Sequence, residues 1–444
     1  MMRKILFLSV LLGFCVTQGE AGTFNREAVT VRRLDNGLKI LLCEDHDIPN
    51  IAYYTFFRVG SRNERVGLTG VSHFIEHMMF NGTEAFGPGE FDRIMEQSGG
   101  ANNAYTSDDL TAYTDWFPTP AMGSMMEMES NRMQGLLFKP DVLESERGVI
   151  ASERRLSVEN NNENLLDETV RATAILAHSY HWSVIGWMSD ILGWKRDEIM
   201  DYYQTYYSPN NAVLVVVGDF STPDLMARIE TMYGKILRGP EPPALITTEP
   251  PQLGPRRVVI RKDVQVPSFL MVYRAPACTD PDFPAMRVLD IVLLQGESSR
   301  LYRKLVADLE LCLSVYGGIG ETVDPLLFAF NPKPRPGADL ERIEKEIETE
   351  LDRVVREGIT QREFEKAMNT IRTDFYGPLQ SIAGKANALG QTEVLYGGYE
   401  NLFVMMDRYK ALDLEKIRQA AAKYLVENNK TVGMVLPQGG GHEE

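Results

Sequence analysis

Cysteine and histidine are scarce in this chain of 444 residues, which contains 4 Cys and 6 His. One cysteine, Cys15, lies in an apolar stretch near the N-terminus, and the other three, Cys43, Cys278 and Cys312, are scattered over the remaining sequence. An odd and widely spaced set of this kind argues against a disulfide framework and against a cysteine-rich zinc ribbon. We therefore expect the last three cysteines to be buried as small apolar side chains.

Basic residues are also under-represented, because 46 Lys and Arg stand against 62 Asp and Glu, for a formal net charge of −16. That balance argues against a nucleic acid as the main partner. A hydrophobic content of 44% and a charged content of 24% are typical of a folded, water-soluble protein. The length predicts two or three domains.

A long apolar run occurs only at the N-terminus. The basic start MMRK, the apolar run ILFLSVLLGFCV and the small residues near Ala21 predict a signal peptide over residues 1–21. The run is shorter than the roughly 20 residues that a membrane span requires. We expect an exported protein without stable membrane insertion after cleavage, periplasmic in a Gram-negative source and otherwise secreted. Lipidation of Cys15 stays open, although the bulky Phe14 before it disfavours this modification.

Proline and glycine concentrate in residues 237–257, LRGPEPPALITTEPPQLGPRR, a segment that predicts an extended linker. It separates a predicted N-terminal domain, residues 22–236, from a C-terminal domain, residues 258–444. The two domains show related patterns. YYTFFRVGSRNE, which begins at Tyr53, resembles FLMVYRAPACTD, which begins at Phe269, and an amphipathic segment followed by an Asn-Asn turn and an apolar strand occurs late in both. These repeats predict a duplicated α+β fold.

The segment HFIEH places two of the six histidines, His73 and His77, around Glu76. On a helix over residues 70–80 the two imidazoles lie one turn apart on the same face, where they can bind one metal ion. A carboxylate beside them can accept a proton from water, and H-x-x-E-H is the arrangement of inverted zincins. Two ordinary histidines are the alternative. The corresponding segment of the second domain, LDIVL at residues 289–293, has lost the motif.

A catalytic zinc site needs a third protein ligand from another element. Residues 141–160 predict a helix rich in carboxylates, most of them solvated, in which Glu146 and Glu153 lie two turns apart on one face. Residues 98–117, SGGANNAYTSDDLTAYTDWF, alternate apolar and polar side chains and predict a hairpin or an edge strand.

Taken together, HFIEH, the later Glu146 and Glu153 pair and the intervening hairpin resemble the pitrilysin/insulinase family of zinc metallopeptidases. The resemblance implies an endopeptidase with one Zn²⁺ per chain, held by His73, His77 and Glu153, and with Glu76 as general base. It further implies that Glu146 supports the site, and that peptide substrates are added as a β-strand beside Asn103 and Ala104.

The same resemblance implies the fold of a bacterial processing-peptidase-like subunit. Its two homologous domains would each be a mainly antiparallel sheet packed with helices, and they would face each other across a cleft. The first would carry the zinc site and the second would lack the metal motif.

The chain departs from the family pattern in residues 299–315, SRLYRKLVADLELCLSV. Active members carry an Arg and a Tyr here that stabilise the oxyanion, but the matching positions are Val306 and Leu313, which cannot donate a hydrogen bond. Arg303 and Tyr316 are nearby substitutes, but we interpret them as ordinary surface and strand positions. We therefore predict that a homologous sister subunit supplies the Arg and Tyr in a heterodimer. The alternative is a non-catalytic assembly or peptide-binding subunit.

Overall fold

The computed structural model describes residues 24–438. The predicted signal peptide and Cys15 lie outside these residues. Cys43, Cys278 and Cys312 are each buried, which confirms the prediction for them. Within the described range, no helix combines the length and the apolar character that a membrane crossing demands.

The first half is built on a six-stranded sheet in the order β1-β2-β6-β3-β5-β4. Strands β2 and β6 are parallel, and every other neighbouring pair is antiparallel. Long apolar strands form its centre, since all seven residues of β6 are buried. The strands are β1 Thr30–Arg33, β2 Lys39–Glu44, β3 Asn50–Phe57, β4 Ala101–Thr106, β5 Thr111–Pro118 and β6 Ala212–Gly218.

Eight helices belong to this half, and all except α5 contribute buried apolar side chains to its core. They are α1 Val71–Met78, α2 Glu90–Gln97, α3 Met122–Gln134, α4 Pro140–Arg154, α5 Asn162–Ala174, α6 Met188–Gly193, α7 Arg196–Tyr206 and α8 Thr222–Tyr233. A wider π-helical turn, Arg155–Glu159, continues α4.

The second half repeats the design with a five-stranded sheet in the order β7-β11-β8-β10-β9. Strands β7 and β11 are the parallel pair. The strands are β7 Arg256–Lys262, β8 Ser268–Arg274, β9 Cys312–Ile319, β10 Leu327–Pro334 and β11 Lys430–Pro437. The helices are α9 Phe283–Leu294, α10 Arg300–Tyr302, α11 Leu340–Glu357, α12 Gln361–Tyr376, α13 Ile382–Leu395, α14 Asn401–Lys410 and α15 Leu414–Tyr424.

The strand order of the two sheets is the same once β1 is set aside. β2, β6, β3, β5 and β4 correspond to β7, β11, β8, β10 and β9, and the single parallel pair falls at the same place. The predicted α+β class, with two mainly antiparallel sheets packed with helices, is confirmed. No helix or strand occurs between α8 and β7, where the linker is expected. The domain boundaries on either side of it stay predictions.

The two halves are joined by an exchange of helices. Helix α5 of the first half packs on β7, β8 and β11 of the second sheet, whereas α13 of the second half packs on β3 and β6 of the first. Glycine permits both close approaches, because a Cβ at Gly433 would overlap Val170 and one at Gly390 would overlap the Phe56 ring. Each sheet is thus covered in part by a helix from the other half.

A cavity of about 440 Å³ lies between the halves. It is lined by residues 160–163, where α5 begins, and by residues 266–269 and 331–334 of the second half, and no residue of the HFIEH motif borders it. Away from this cavity the halves are in direct contact through the exchanged helices.

Candidate metal centre

Helix α1 carries the HFIEH motif and is amphipathic. It begins after Gly70, whose φ of 84° lies in the left-handed region, and the structure confirms the helix over Val71–Met78. His73, Glu76 and His77 lie on its partly exposed face. The opposite face packs into the first-half core through Val71, Phe74, Ile75 and Met78.

A buried carboxylate fixes the start of α1. Glu64 accepts hydrogen bonds from the backbone N–H groups of Gly70, at 2.7 Å, and Ser72, at 2.8 Å. Burial raises the pKa of Glu64 to about 8, although these donors act in the opposite direction. Glu64 thus pairs two N–H groups at the helix start that have no helical carbonyl partner, and it anchors the turn that presents His73.

The three predicted metal ligands come together in the structure. Donor atoms of His73, His77 and Glu153 lie within 4.8 Å of one another. His73 Nε2 lies 3.8 Å from Glu153 Oε1, and His77 Nε2 lies 3.7 Å from Glu153 Oε2. The histidines come from α1 and the carboxylate from α4, which packs against it.

These distances fit a small cation better than direct hydrogen bonds. Nitrogen–oxygen hydrogen bonds are about 2.7–3.2 Å long, whereas two ligands of a tetrahedral zinc ion, each about 2.0–2.1 Å from it, lie roughly 3.4 Å apart. Burial and the neighbouring His77 lower the pKa of His73 to about 4, so its ring is neutral at pH 7, as a metal ligand must be. The donor set is therefore suited to zinc.

Glu146, two turns before Glu153 on α4, orients His77. The His77 Nδ1–H group donates to Glu146 Oε1 at 2.8 Å. This hydrogen bond lowers the pKa of Glu146, and it raises the pKa of His77 although burial opposes the rise. With Nδ1 occupied by hydrogen, the lone pair of the neutral ring is on Nε2, which faces Glu153. The structure thus places Glu146 next to His77, on the side of the ring away from Glu153, and its supporting role stays a prediction.

Asn81 is a supporting residue that the sequence reasoning missed. Its side-chain N–H₂ donates to Glu146 Oε2 at 3.0 Å and to the backbone carbonyl of His77 at 3.1 Å. The signal was its position four residues after His77, which places it near the same helix face.

Glu76 is held beside the predicted ligands by Thr106, the last residue of β4. The Thr106 hydroxyl donates to Glu76 Oε2 at 2.6 Å. Burial raises the pKa of Glu76, while the Thr106 hydrogen bond and His77 act against the rise. A partly buried carboxylate with a raised pKa is suited to accept and release protons. Thr106 was also missed, although it lies within the quoted alternating segment, two residues after Ala104.

Strand β4 is the outermost strand of the first sheet and forms the predicted hairpin with β5. Asn103 pairs with Thr114 and Ala104 with Tyr113. Asn103 is exposed, whereas Ala104 is half-buried against the first-half core. Among the described strands, β4 pairs only with β5. Its other backbone edge is therefore available to an extended peptide.

The second half presents no oxyanion donor at the two altered positions. Val306 lies in the π-helical turn Arg303–Asp308 and packs against the second-half core, and Leu313 is 50% exposed on β9. Tyr316, also on β9, donates its hydroxyl to Glu163 of α5 at 2.9 Å.

Comparison with known proteins identifies two family domains. Residues 39–186 match the family described as "Insulinase (Peptidase family M16)", and residues 193–371 match "Peptidase M16 inactive domain". Zinc protease PqqE of Helicobacter pylori is 29% identical over 416 residues, which represent 93% of this chain and 93% of that protein.

Solved structures agree with these matches. The crystal structure of a protease from Helicobacter pylori has a TM-score of 0.89 and 28% identity, and the match covers 92% of this chain and 99% of that one. The periplasmic protease PqqL from Escherichia coli, 19% identical, has a TM-score of 0.76, and the match covers 93% of this chain but 48% of that one. The chain belongs to the insulinase, or pitrilysin, family of peptidases, family M16, as a two-domain member.

Proposed function

We propose that this protein is a zinc-dependent endopeptidase that cleaves peptides or extended polypeptide segments. The observation that supports it is the convergence of His73, His77 and Glu153 next to Glu76. Residues 22–236 would form the zinc domain, 237–257 the linker and 258–444 the supporting domain. The relatives named zinc proteases are consistent with this assignment.

A zinc ion held by the three ligands would supply the Lewis acidity that activates water and polarises a peptide carbonyl. Glu76 would act as the general base, since it takes a proton from water and passes it to the leaving amine. The Thr106 hydroxyl orients this carboxylate, and Glu146 keeps His77 in the tautomer that presents Nε2. Glu76 would thus carry the proton, whereas Thr106 and Glu146 would keep the side chains beside them in the required orientation.

Peptides would bind by adding a strand to the free edge of β4, next to Asn103 and Ala104. Backbone hydrogen bonds to such an edge hold an extended chain without reading most of its side chains. A folded protein cannot present an extended segment of this kind without local unfolding, so unstructured peptides are the expected substrates.

We further propose that a homologous sister subunit supplies the Arg and Tyr that Val306 and Leu313 replace. The longer PqqL chain, about half of which this chain matches, is consistent with two such units acting together. Residues 1–21 would direct export, to the periplasm in a Gram-negative source.

Zinc analysis and peptide cleavage test the proposal together. The purified mature chain should bind about one zinc ion, and with its sister subunit it should cleave unstructured peptides. Glu76→Gln should keep the zinc and lose cleavage, whereas Glu127→Gln, an exposed control on α3, should keep both. Undiminished cleavage by Glu76→Gln would refute the base assignment. Full activity of the chain alone would refute the need for a partner.

A second candidate function is a non-catalytic assembly or peptide-binding subunit. The absence of a hydrogen-bond donor at Val306 and Leu313 favours it, because cleavage needs oxyanion stabilisation. In that case mass spectrometry would find peptides bound by the zinc-loaded chain and its partner but left intact.

A further inference from the structure

Tyr105 and Thr106 are neighbours on β4, and their side chains lie on opposite faces of the sheet, as successive strand residues do. Thr106 reaches Glu76 on the metal side. Tyr105 instead packs against the apolar cluster that the two halves share, and its hydroxyl is hydrogen-bonded to α13 of the second half. A single dipeptide of the proposed substrate strand therefore contacts both halves of the protein.

The Tyr105 hydroxyl is held by two side chains of α13. It accepts a hydrogen bond from Gln391 Nε2 at 3.0 Å and donates one to Asn387 Oδ1 at 3.4 Å. Asn387 and Gln391 are four residues apart, so they project from one face of the helix. The hydroxyl is therefore hydrogen-bonded to side chains from two successive turns of α13.

Helix α13 is itself firmly attached to the first sheet. Glu393, almost fully buried, pairs with Lys39 at 2.7 Å and with Arg58 at 2.8 Å. At the other end of the helix, Lys385 pairs with Asp45 at 2.6 Å. Between these ion pairs, Gly390 lies against the Phe56 ring. The partners of Tyr105 are thus on a helix that cannot shift without breaking buried charge pairs.

We propose that Tyr105 is a positioning residue. Its hydrogen bonds to α13 hold β4 beside the metal centre in the position that can accept a peptide. An outermost strand is held by only one neighbour, so its position depends on contacts of its faces. The second half, which has lost the metal motif, would in this way set how well β4 accepts a peptide. This inference rests on the proposed docking of peptides at β4.

Peptide affinity in a non-cleaving background tests the inference. The full-length mature Glu76→Gln chain, loaded with zinc, would be titrated into a fluorescein-labelled, unstructured Ala/Gly/Ser peptide. Adding Tyr105→Phe should raise the Kd about three- to tenfold, because β4 would then be in its peptide-accepting position for only part of the time. Gln391→Ala should have a similar effect, and the two changes combined should cost little more than one, because they remove the same interaction.

Tyr54→Phe is the matched control. Tyr54 lies on β3 near Tyr105, and its hydroxyl makes no side-chain hydrogen bond within residues 24–438. This control should leave Kd unchanged. Zinc content and Tm should be the same in all variants, which separates a change in β4 from a loss of the site or of the fold.

Hydrogen exchange distinguishes failure of this inference from failure of the proposed function. Without any peptide, Tyr105→Phe should speed amide exchange in residues 101–106, and Tyr54→Phe should not. Unchanged exchange, or an unchanged Kd where the parent binds peptide, would overturn the positioning role. A parent that binds no peptide but shows faster exchange in Tyr105→Phe would leave β4 positioned by Tyr105 and would refute docking at β4.

Discussion

Helices α1 and α9 occupy corresponding places in the two halves, yet only α1 has a face open to chemistry. In α1, His73, Glu76 and His77 are partly exposed between α4 and β4. In α9, every residue except Arg287 is buried, because β9, α10, α12, α14 and α15 surround the helix. Both halves thus keep the helix, but a site can form only where the neighbouring elements leave one face of that helix exposed.

The largest expected effect breaks the metal centre on α1. His77→Ala removes one of the three proposed ligands and the partner of Glu146, so zinc should be lost. Because a catalytic zinc ion typically contributes several kcal/mol to transition-state stabilisation, the proposed peptide cleavage should fall about a thousandfold or more. Metal analysis and initial rates check both results. Retained zinc with normal rates would remove His77 from the ligand set.

The next largest effect is expected when a histidine of the motif is introduced at the corresponding place in the second half. Leu289→His puts an imidazole on α9, where Leu289 is fully buried. The substitution should destabilise the protein by about 2–5 kcal/mol, because it loses apolar packing and buries a polar ring. Urea unfolding measures the change. A variant that is as stable as the parent and binds a second zinc ion would contradict the comparison.

A smaller effect is expected from Glu146→Gln, which keeps the shape of the residue behind His77 but removes its charge. Zinc affinity should fall about 10- to 100-fold, as is typical when the partner of a metal-binding histidine is altered. Competition with a chelator measures the affinity. Glu144→Gln on the same helix, whose carboxylate faces Arg147, is the control and should leave zinc affinity unchanged.

The smallest effect concerns the contact between the halves. Hydrogen bonding from His178, together with Arg62, lowers the pKa of Asp324 to about 2. Because the folded pKa lies below the unfolded value, the resulting stability is present above the unfolded pKa and is lost as the pH falls through the folded pKa.

Asp324→Asn should therefore reduce stability by about 1 kcal/mol at neutral pH, a value discounted for partial exposure. The difference from the parent should shrink as the pH falls from about 4 towards 2. Unfolding free energies measured across that range check the sign. A difference that grows towards acid pH would contradict the assignment.

Much of the site could be predicted because it depends on local spacing. Two histidines at positions i and i+4 share a helix face wherever the helix packs, and alternation alone indicated the hairpin that contains β4. Glu153 needed the resemblance to a family, since nothing local joins α1 to α4. Asn81 is one helical turn after His77 and Thr106 is two residues after Ala104, but such positions alone do not distinguish these residues from other polar side chains near the motifs.

The exchange of α5 and α13 could not be predicted from periodicity. An amphipathic helix shows that one face is buried, but not which sheet covers it. The Tyr105–Gln391 contact joins positions 286 residues apart, a separation over which local propensity carries no information. Such pairings are set by tertiary packing, and only the three-dimensional structure reveals them.

The exchanged helices also determine when the protein can be completed. During synthesis, the first sheet is finished once residue 218 has been made, but the face that α13 covers stays open until residue 395 has followed. Helix α5 likewise waits for β7, β8 and β11. The first half can bury its own apolar cluster as it emerges, since all the residues of that cluster lie between Leu38 and Ile236. The sheet face that α13 covers is nevertheless exposed to water until most of the second half has been made.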